Sequence, residues 1–98
     1  MRKLVILPGA VRYLKKLKDK ALKDKFQRTI EAILEEPSIG EAKTGDLAGV
    51  FCCDFYHQKT NYEVAYTLIE QDGETVVVIL AGTRENFYAE LKRYMKDR

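Results

Sequence analysis

The sequence predicts an α+β fold: an N-terminal strand, a helical hairpin, a three-stranded antiparallel meander and a C-terminal helix, in a single domain over residues 1–98. Three observations carry this reading. Leu22, Phe26, Ile30, Ile33 and Leu34 recur at helical spacing on one stripe. Strand patterns lie on each side of Asp72-Gly73, the strongest turn signal in the chain. The stretch Thr75–Lys96 opens with the β-branched run Val76–Leu80, which suits a strand buried on both faces. It then passes into a helical pattern of Phe87, Leu91, Tyr94 and Met95.

Taken in order, Lys3–Leu7 is a short strand that Pro8 and Gly9 stop. A helix begins close behind, with Val11, Leu14 and Leu17 at i, i+3 and i+6. Asp19 is an N-cap candidate for the helix that carries the Leu22–Leu34 stripe. The two segments form either a helical hairpin or one long helix kinked near Asp19. Pro37 ends the helix, and Ser38–Gly45 reads as loop. Val50–His57 and Tyr62–Gln71 are strands joined by a turn at Gln58–Asn61. In the second of them Tyr62, Val64, Tyr66 and Leu68 share one face, and Glu63, Ala65, Thr67 and Ile69 the other. Val76–Leu80, the most apolar strand, is expected at the centre of the sheet. The first strand is expected at an edge, and the helices on one face.

With 98 residues, 46% hydrophobic and 33% charged, the composition is that of one globular domain and not of a disordered segment. No apolar run approaches the roughly 20 residues that span a bilayer. The run before Pro8 is too short for the core of a signal peptide, so neither export nor a membrane partner is expected. Cys52 and Cys53 are adjacent, so in a strand they point to opposite faces and do not pair. With no other cysteine there is neither a disulfide framework nor zinc spacing. A cytoplasmic protein without metal or cofactor is the expectation. Charge is uneven: residues 1–28 hold ten Lys/Arg and two acids, residues 29–91 three and twelve, and residues 92–98 four and one. Such asymmetry fits a polyanion or acidic partner on one side, or a solvated basic helix face.

Arg84, Tyr88 and Lys92 are spaced by four. If the last helix starts early they share a stripe, which delivers a guanidinium, a phenol and an amine to one place. Those groups bind or process a phosphodiester. The structural alternatives are an ion pair of Arg84 with Glu85 or Asp54, and a half-buried Tyr88 pinning the helix. His57, the lone histidine, is either an acid/base near neutral pH or a surface turn residue.

The chain resembles the RelE/ParE superfamily of toxins from bacterial toxin–antitoxin pairs over nearly its whole length. The resemblance rests on Ala10-Val11-Arg12-Tyr13-Leu14-Lys15-Lys16-Leu17, Ile33-Leu34 before Pro37, and the turn Gly45-Asp46-Leu47-Ala48-Gly49. It continues through Asn61-Tyr62-Glu63-Val64-Ala65-Tyr66, Gly82-Thr83-Arg84-Glu85-Asn86-Phe87-Tyr88 and Leu91-Lys92-Arg93-Tyr94. No single piece is specific; their order and spacing are.

The resemblance implies a cognate antitoxin as partner and one of three activities. RelE- and YoeB-type relatives cleave mRNA in the ribosomal decoding site without a metal. ParE-type relatives inhibit DNA gyrase, and some members show neither activity. On the nuclease reading Arg84 clamps the phosphate, and Tyr88, His57 and Glu63 are the acid/base candidates. Lys15, Lys16, Lys43, Lys59 and Lys92 would contact RNA phosphates. The chain departs from that pattern at Glu63, where many nuclease members carry Arg, and at Phe51–Tyr56, which lacks their Lys/Arg series. The gyrase reading would instead use the N-terminal helices.

Overall fold

In the computed structural model, which describes residues 2–70 and 73–96, the strands are β1 (Lys3–Ile6), β2 (Glu41–Ala42), β3 (Phe51–His57), β4 (Thr60–Glu70) and β5 (Glu74–Thr83). The helices are α1 (Pro8–Lys16), α2 (Lys20–Glu35) and α3 (Phe87–Lys96). This is the α+β order expected from the sequence. The hairpin alternative is the one realised: α1 ends at Lys16, and Asp19 Oδ1 accepts the Ala21 and Leu22 amides to start α2. No helix among the described residues is long and apolar enough to cross a membrane.

The strands form one sheet in the order β1-β5-β4-β3-β2. The meander β3–β4–β5 is antiparallel, and β1 joins β5 in parallel at one edge, Leu4 beside Val76 and Ile6 beside Val78. Three details depart from the sequence reading. A two-residue β2 extends the other edge. β4, not β5, is the middle strand. The helices cover both faces of the sheet: α1 and α2 pack on one, α3 on the other.

Each face has its own apolar cluster. Under α1 and α2, Phe26 packs edge-on against Phe55, Tyr62 and Tyr13 at 4.9, 5.6 and 5.9 Å. Val64, Tyr66, Val76, Val78 and Ala81 complete this cluster. Under α3, Leu47, Val50, Cys52, Ala65 and Ile79 meet Phe87 and Leu91. β5 serves both clusters, as its apolar run Val76–Ala81 requires.

A bulge in β5 adjusts the alternation. Tyr66 pairs with Val78 but Ala65 with Leu80, leaving Ile79 as the extra residue. Ile79 and Leu80 therefore both serve the α3 face, and Ala81 returns to the α1/α2 face. The β3–β4 hairpin turns through Gln58 and Lys59, whose φ of 50° and 68° are those of a type I′ turn. Gln71 and Asp72, read as strand end and turn, lie outside the described residues; Gly73 beside them has φ 99°, the left-handed conformation that a turn at this site requires.

Tyr66 ties the loop after α2 to the sheet. Its ring is fully buried and stacks on Phe51. Its hydroxyl donates to the Pro37 carbonyl at 2.6 Å and accepts the Gly40 amide at 2.9 Å. A side chain on Gly40 would collide with the Tyr66 ring and hydroxyl. Tyr66→Phe, which orphans a carbonyl and an amide, is expected to destabilise the fold by about 1–3 kcal/mol. Gly40→Ala, which forces the ring to move, should destabilise at least as much; urea denaturation of both variants checks the order.

Candidate functional site

Cross-strand register places the chemistry-bearing residues on the α3 face of the sheet. Asp54 pairs with Glu63, and Glu63 with Gly82, in one lateral row. The row at the open end runs Tyr56–Asn61 and continues to Arg84, whose amide donates to the Asn61 carbonyl at 2.8 Å. The third row is Cys52–Ala65–Leu80. Side chains in these rows share a face because directly paired residues point the same way. Gly82 brings no side chain, and a Cβ there would meet the Phe87 ring at 3.7 Å and Tyr13 at 3.9 Å. Beside this row stand Glu63, Arg84 and Tyr88. These residues, with Asp54 and Glu41, line an open cleft of about 510 Å³.

Glu63 is the centre of the site. Only 2% of it is exposed. Tyr88 donates its hydroxyl to Glu63 Oε1 at 3.2 Å, and Arg84 Nε stands 3.7 Å from Oε2. Burial pushes the Glu63 carboxyl above the ordinary carboxylate range, and Asp54 adds to the shift; Tyr88, Arg84 and Lys43 oppose it. The Arg84 side chain is 60% exposed, so one guanidinium edge reaches solvent while the other faces the carboxylate.

Lys43 supplies the second cation. It enters from the short segment between β2 and β3, where its amide donates to the Val50 carbonyl. Its Nζ bonds Glu41 at 2.7 Å and lies 4.8 Å from the centre of the Tyr88 ring. The Glu41 bond raises the Lys43 pKa further and lowers that of Glu41, so this pair stays ionised. Burial raises the Tyr88 phenol, which keeps its proton near neutral pH. The Cys52 thiol is pushed up to about 11, chiefly by burial; it is a packing residue under α3, not an activated nucleophile.

Of the residues singled out from sequence, Arg84, Tyr88, Glu63 and Lys43 come together. His57 does not. It lies on the opposite face of the sheet, buried, with Nε2 2.9 Å from Asp19 Oδ2. The single Asp19 carboxylate thus caps α2 with one oxygen and holds the β3–β4 hairpin with the other. This pairing, ahead of the capping amides, lowers the Asp19 pKa. Lys59 sits at the exposed hairpin tip. Lys15 and Lys16 lie in the last turn of α1, on the far side of the sheet. Lys92 is exposed on α3 and lines a separate surface hollow with Asp46 and Met95. The early helix start that would align it with Arg84 is not realised, because Asn86 takes a left-handed φ of 63° and α3 begins at Phe87. Sequence reasoning missed Glu41 and Asp54 as cleft residues, and Asn61 as the hydrogen-bond donor to Asp54. The alternation of β3 and β4 contained the signal for the last two, once the hairpin register was known. Among the described residues, no group of three or more His, Cys, Asp or Glu side chains is arranged to hold a metal ion.

Residues 4–92 match the family model for the ParE-like toxin of type II bacterial toxin–antitoxin systems. No curated protein sequence matches the chain at a significant level. Among solved structures, the free E. coli toxin RelE in a double arginine-to-alanine mutant form superposes with a TM-score of 0.74 at 18% identity, covering 99% of this chain and 96% of that one. The toxin–antitoxin complex RelBE2 of Mycobacterium tuberculosis matches at 25% identity and TM-score 0.64, over 85% of this chain and 98% of that one. The intact E. coli RelBE toxin–antitoxin complex matches at 20% identity and TM-score 0.65, over 84% and 95%.

Because the folded pKa of Glu63 is raised, the native state binds its proton more tightly than the unfolded state. Stability from this group is therefore lost as pH climbs through the unfolded carboxylate pKa and on to the folded one. Glu63→Gln should melt higher than the wild type at pH 7.5, and the difference should close as pH falls towards about 4. Thermal melts across that range test the sign.

Proposed function

The chain belongs to the ParE-like toxin family of type II bacterial toxin–antitoxin systems, and we propose that it acts within that family as a metal-free endoribonuclease that cuts mRNA on the ribosome and so inhibits translation. The observation that carries the proposal is the buried Glu63 carboxylate with its pKa raised, held against an exposed guanidinium and a protonated phenol in an open cleft. RNA strand scission by internal attack needs a base for the 2′-OH proton, an acid for the departing 5′-oxygen and a cation on the phosphate. Glu63 takes the 2′-OH proton as the 2′-oxygen bonds to phosphorus. Arg84 turns its guanidinium to the non-bridging oxygens, where its fork fits. Tyr88 gives its proton to the 5′-oxygen as the P–O5′ bond breaks and recovers one from Glu63 through the hydrogen bond they already share. The products are a 2′,3′-cyclic phosphate and a 5′-hydroxyl end. Lys43, seated on the Tyr88 ring, holds the phenol in place and adds positive charge.

Three carboxylates, Glu41, Asp54 and Glu63, line this cleft with one cation, Arg84, while Lys43 stands beside it on Glu41 and the Tyr88 ring. Such a site attracts free RNA weakly, which supports a substrate presented by the ribosome over capture from solution. The cognate antitoxin is the second proposed partner, on the ground that the family is defined by such pairs and that complexes of similar fold contain one. One observation favours a second reading. The matching family model is the ParE-like one, and on that reading the protein inhibits DNA gyrase through α1 and α2 while the cleft is idle.

Induction without antitoxin, with mRNA 5′ ends and plasmid supercoiling followed together, separates the two. The expected result is arrest of translation with cuts bearing 5′-hydroxyl ends. Arg84→Ala and Glu63→Gln should each lower cleavage by about 100-fold or more, the range that general acid–base and electrostatic groups contribute. Relaxed plasmid with intact mRNA overturns the nuclease in favour of gyrase.

A further inference from the structure

The row at the open end of the cleft contains an element that catalysis does not use. Tyr56 is 69% exposed, the most exposed large hydrophobic side chain among the described residues. It stands on the same sheet face as Glu63 and Arg84, directly opposite Asn61, with Arg84 one strand further on. Two strand spacings separate the Tyr56 and Arg84 backbones, about 10 Å. Such a gap leaves room for a nucleobase on the ring while the attached phosphate meets the guanidinium.

The other aromatic of the cleft is committed. Lys43 lies over the Tyr88 ring, Phe87 meets it edge-on at 5.6 Å, and its hydroxyl bonds Glu63. Tyr56 has neither aromatic nor cation partner among the described residues, yet its backbone is braced. Lys25 Nζ donates to the Tyr56 carbonyl at 2.9 Å, and the next residue, His57, is tied to Asp19. A solvent-facing aromatic on a fixed backbone is a stacking platform that costs little ordering on binding. Between platform and guanidinium, Asn61 gives its Nδ2 to Asp54 at 3.3 Å, while its Oδ1 is buried with no hydrogen-bond donor among the described residues.

We propose that Tyr56, Asn61 and Arg84 form a one-nucleotide subsite for single-stranded RNA, with Tyr56 stacking the base and Arg84 holding its phosphate. The subsite rests on the proposed reading only in taking RNA as the ligand of this cleft, and not on RNA cleavage or on the assignment of Glu63 and Tyr88 as acid and base. Tyr56 is a binding residue.

A 15N NMR titration with a 2′-O-methyl dinucleotide, which cannot be cut, tests it at the millimolar concentrations a weak site needs. The expected result is perturbation of the Tyr56, Asn61 and Arg84 amides. Affinity should fall about tenfold in Tyr56→Ala and be nearly retained in Tyr56→Phe. An analogue lacking the base should bind the wild type no better than the dinucleotide binds Tyr56→Ala. Unperturbed amides in this row, or equal affinity in Tyr56→Ala, overturns the subsite. Wild-type protein that gives the expected titration but never cuts mRNA leaves the subsite standing and sinks the nuclease reading.

Discussion

One extra residue in β5 determines what the site is. A strand buried on both faces is committed to its alternation, and a slip of one position would turn every side chain over. The bulge at Ile79 makes that slip once, locally. Below it, Val76 and Val78 lie under α1 and α2; above it, Ala81 resumes the same face, so Gly82 falls opposite Glu63. An alternation without the bulge would set Ala81 beside Glu63 and send Gly82 to the helical core. With no side chain at Gly82 the Phe87 ring packs close to the strand, and its neighbour Tyr88 reaches Glu63 across the hollow that Arg84 also lines. Bulges often stand next to functional sites because they re-aim side chains without dismantling a sheet.

Within that hollow the electrostatics are nearly self-cancelling. Glu63 sits in the place a phosphate oxygen would take against Arg84, at 3.7 Å and not at hydrogen-bond distance. The long gap leaves the guanidinium free to swing to a better anion. When a phosphate draws that cation away, the Glu63 carboxylate keeps the hydrogen bond that the Tyr88 hydroxyl donates to its other oxygen. Lys43 behaves differently. Its short bond to Glu41 and its seat on Tyr88 make it a fixed part of the wall. The site thus has one movable cation and one fixed one, which divides binding from positioning.

Much of the fold was legible in the sequence. The Leu22–Leu34 stripe, the Asp19 cap and the apolar strand leading to α3 follow from local periodicity and capping chemistry, and they stand where expected. The parts that were not legible depend on register between strands. The turn at Gln58-Lys59 contains no Gly, Asn or Asp, so nothing local announced a two-residue type I′ hairpin. Without that register, His57 could be brought up to Arg84; with it, His57 shares a face with Phe55 and Phe26 and can only brace Asp19. The bulge is equally silent in sequence, since Val-Val-Val-Ile-Leu is apolar at every position. Lys92 was lost to a single left-handed residue, Asn86, which delays the helix by the few positions that its alignment with Arg84 needed. Glu63, the residue that least fitted the expected pattern, became the centre of the site because burial changed its chemistry.

The strongest sequence signal of charge lies on the other side of the sheet. The basic block of residues 12–28 belongs to α1 and α2, whereas the cleft holds its charged groups on the α3 face and meets α2 only at Thr29 and Ala32. A helix with its side chains is about 10–12 Å across, already more than the Debye length of about 8 Å at physiological salt. Most of the block is therefore screened from the cleft; Lys25, whose Nζ bonds the Tyr56 carbonyl, is the member that stands at its open end. If both surfaces meet nucleic acid, they meet different phosphates at the same time, which a short RNA strand cannot supply and a folded particle with RNA on several sides can. If only one does, the other is left for a protein, and the acidic lining of the cleft makes the helical face the stronger attractant for an acidic chain. Either way most of the basic charge stands apart from the chemistry, and Lys25 with the middle of α2 is the link between the two.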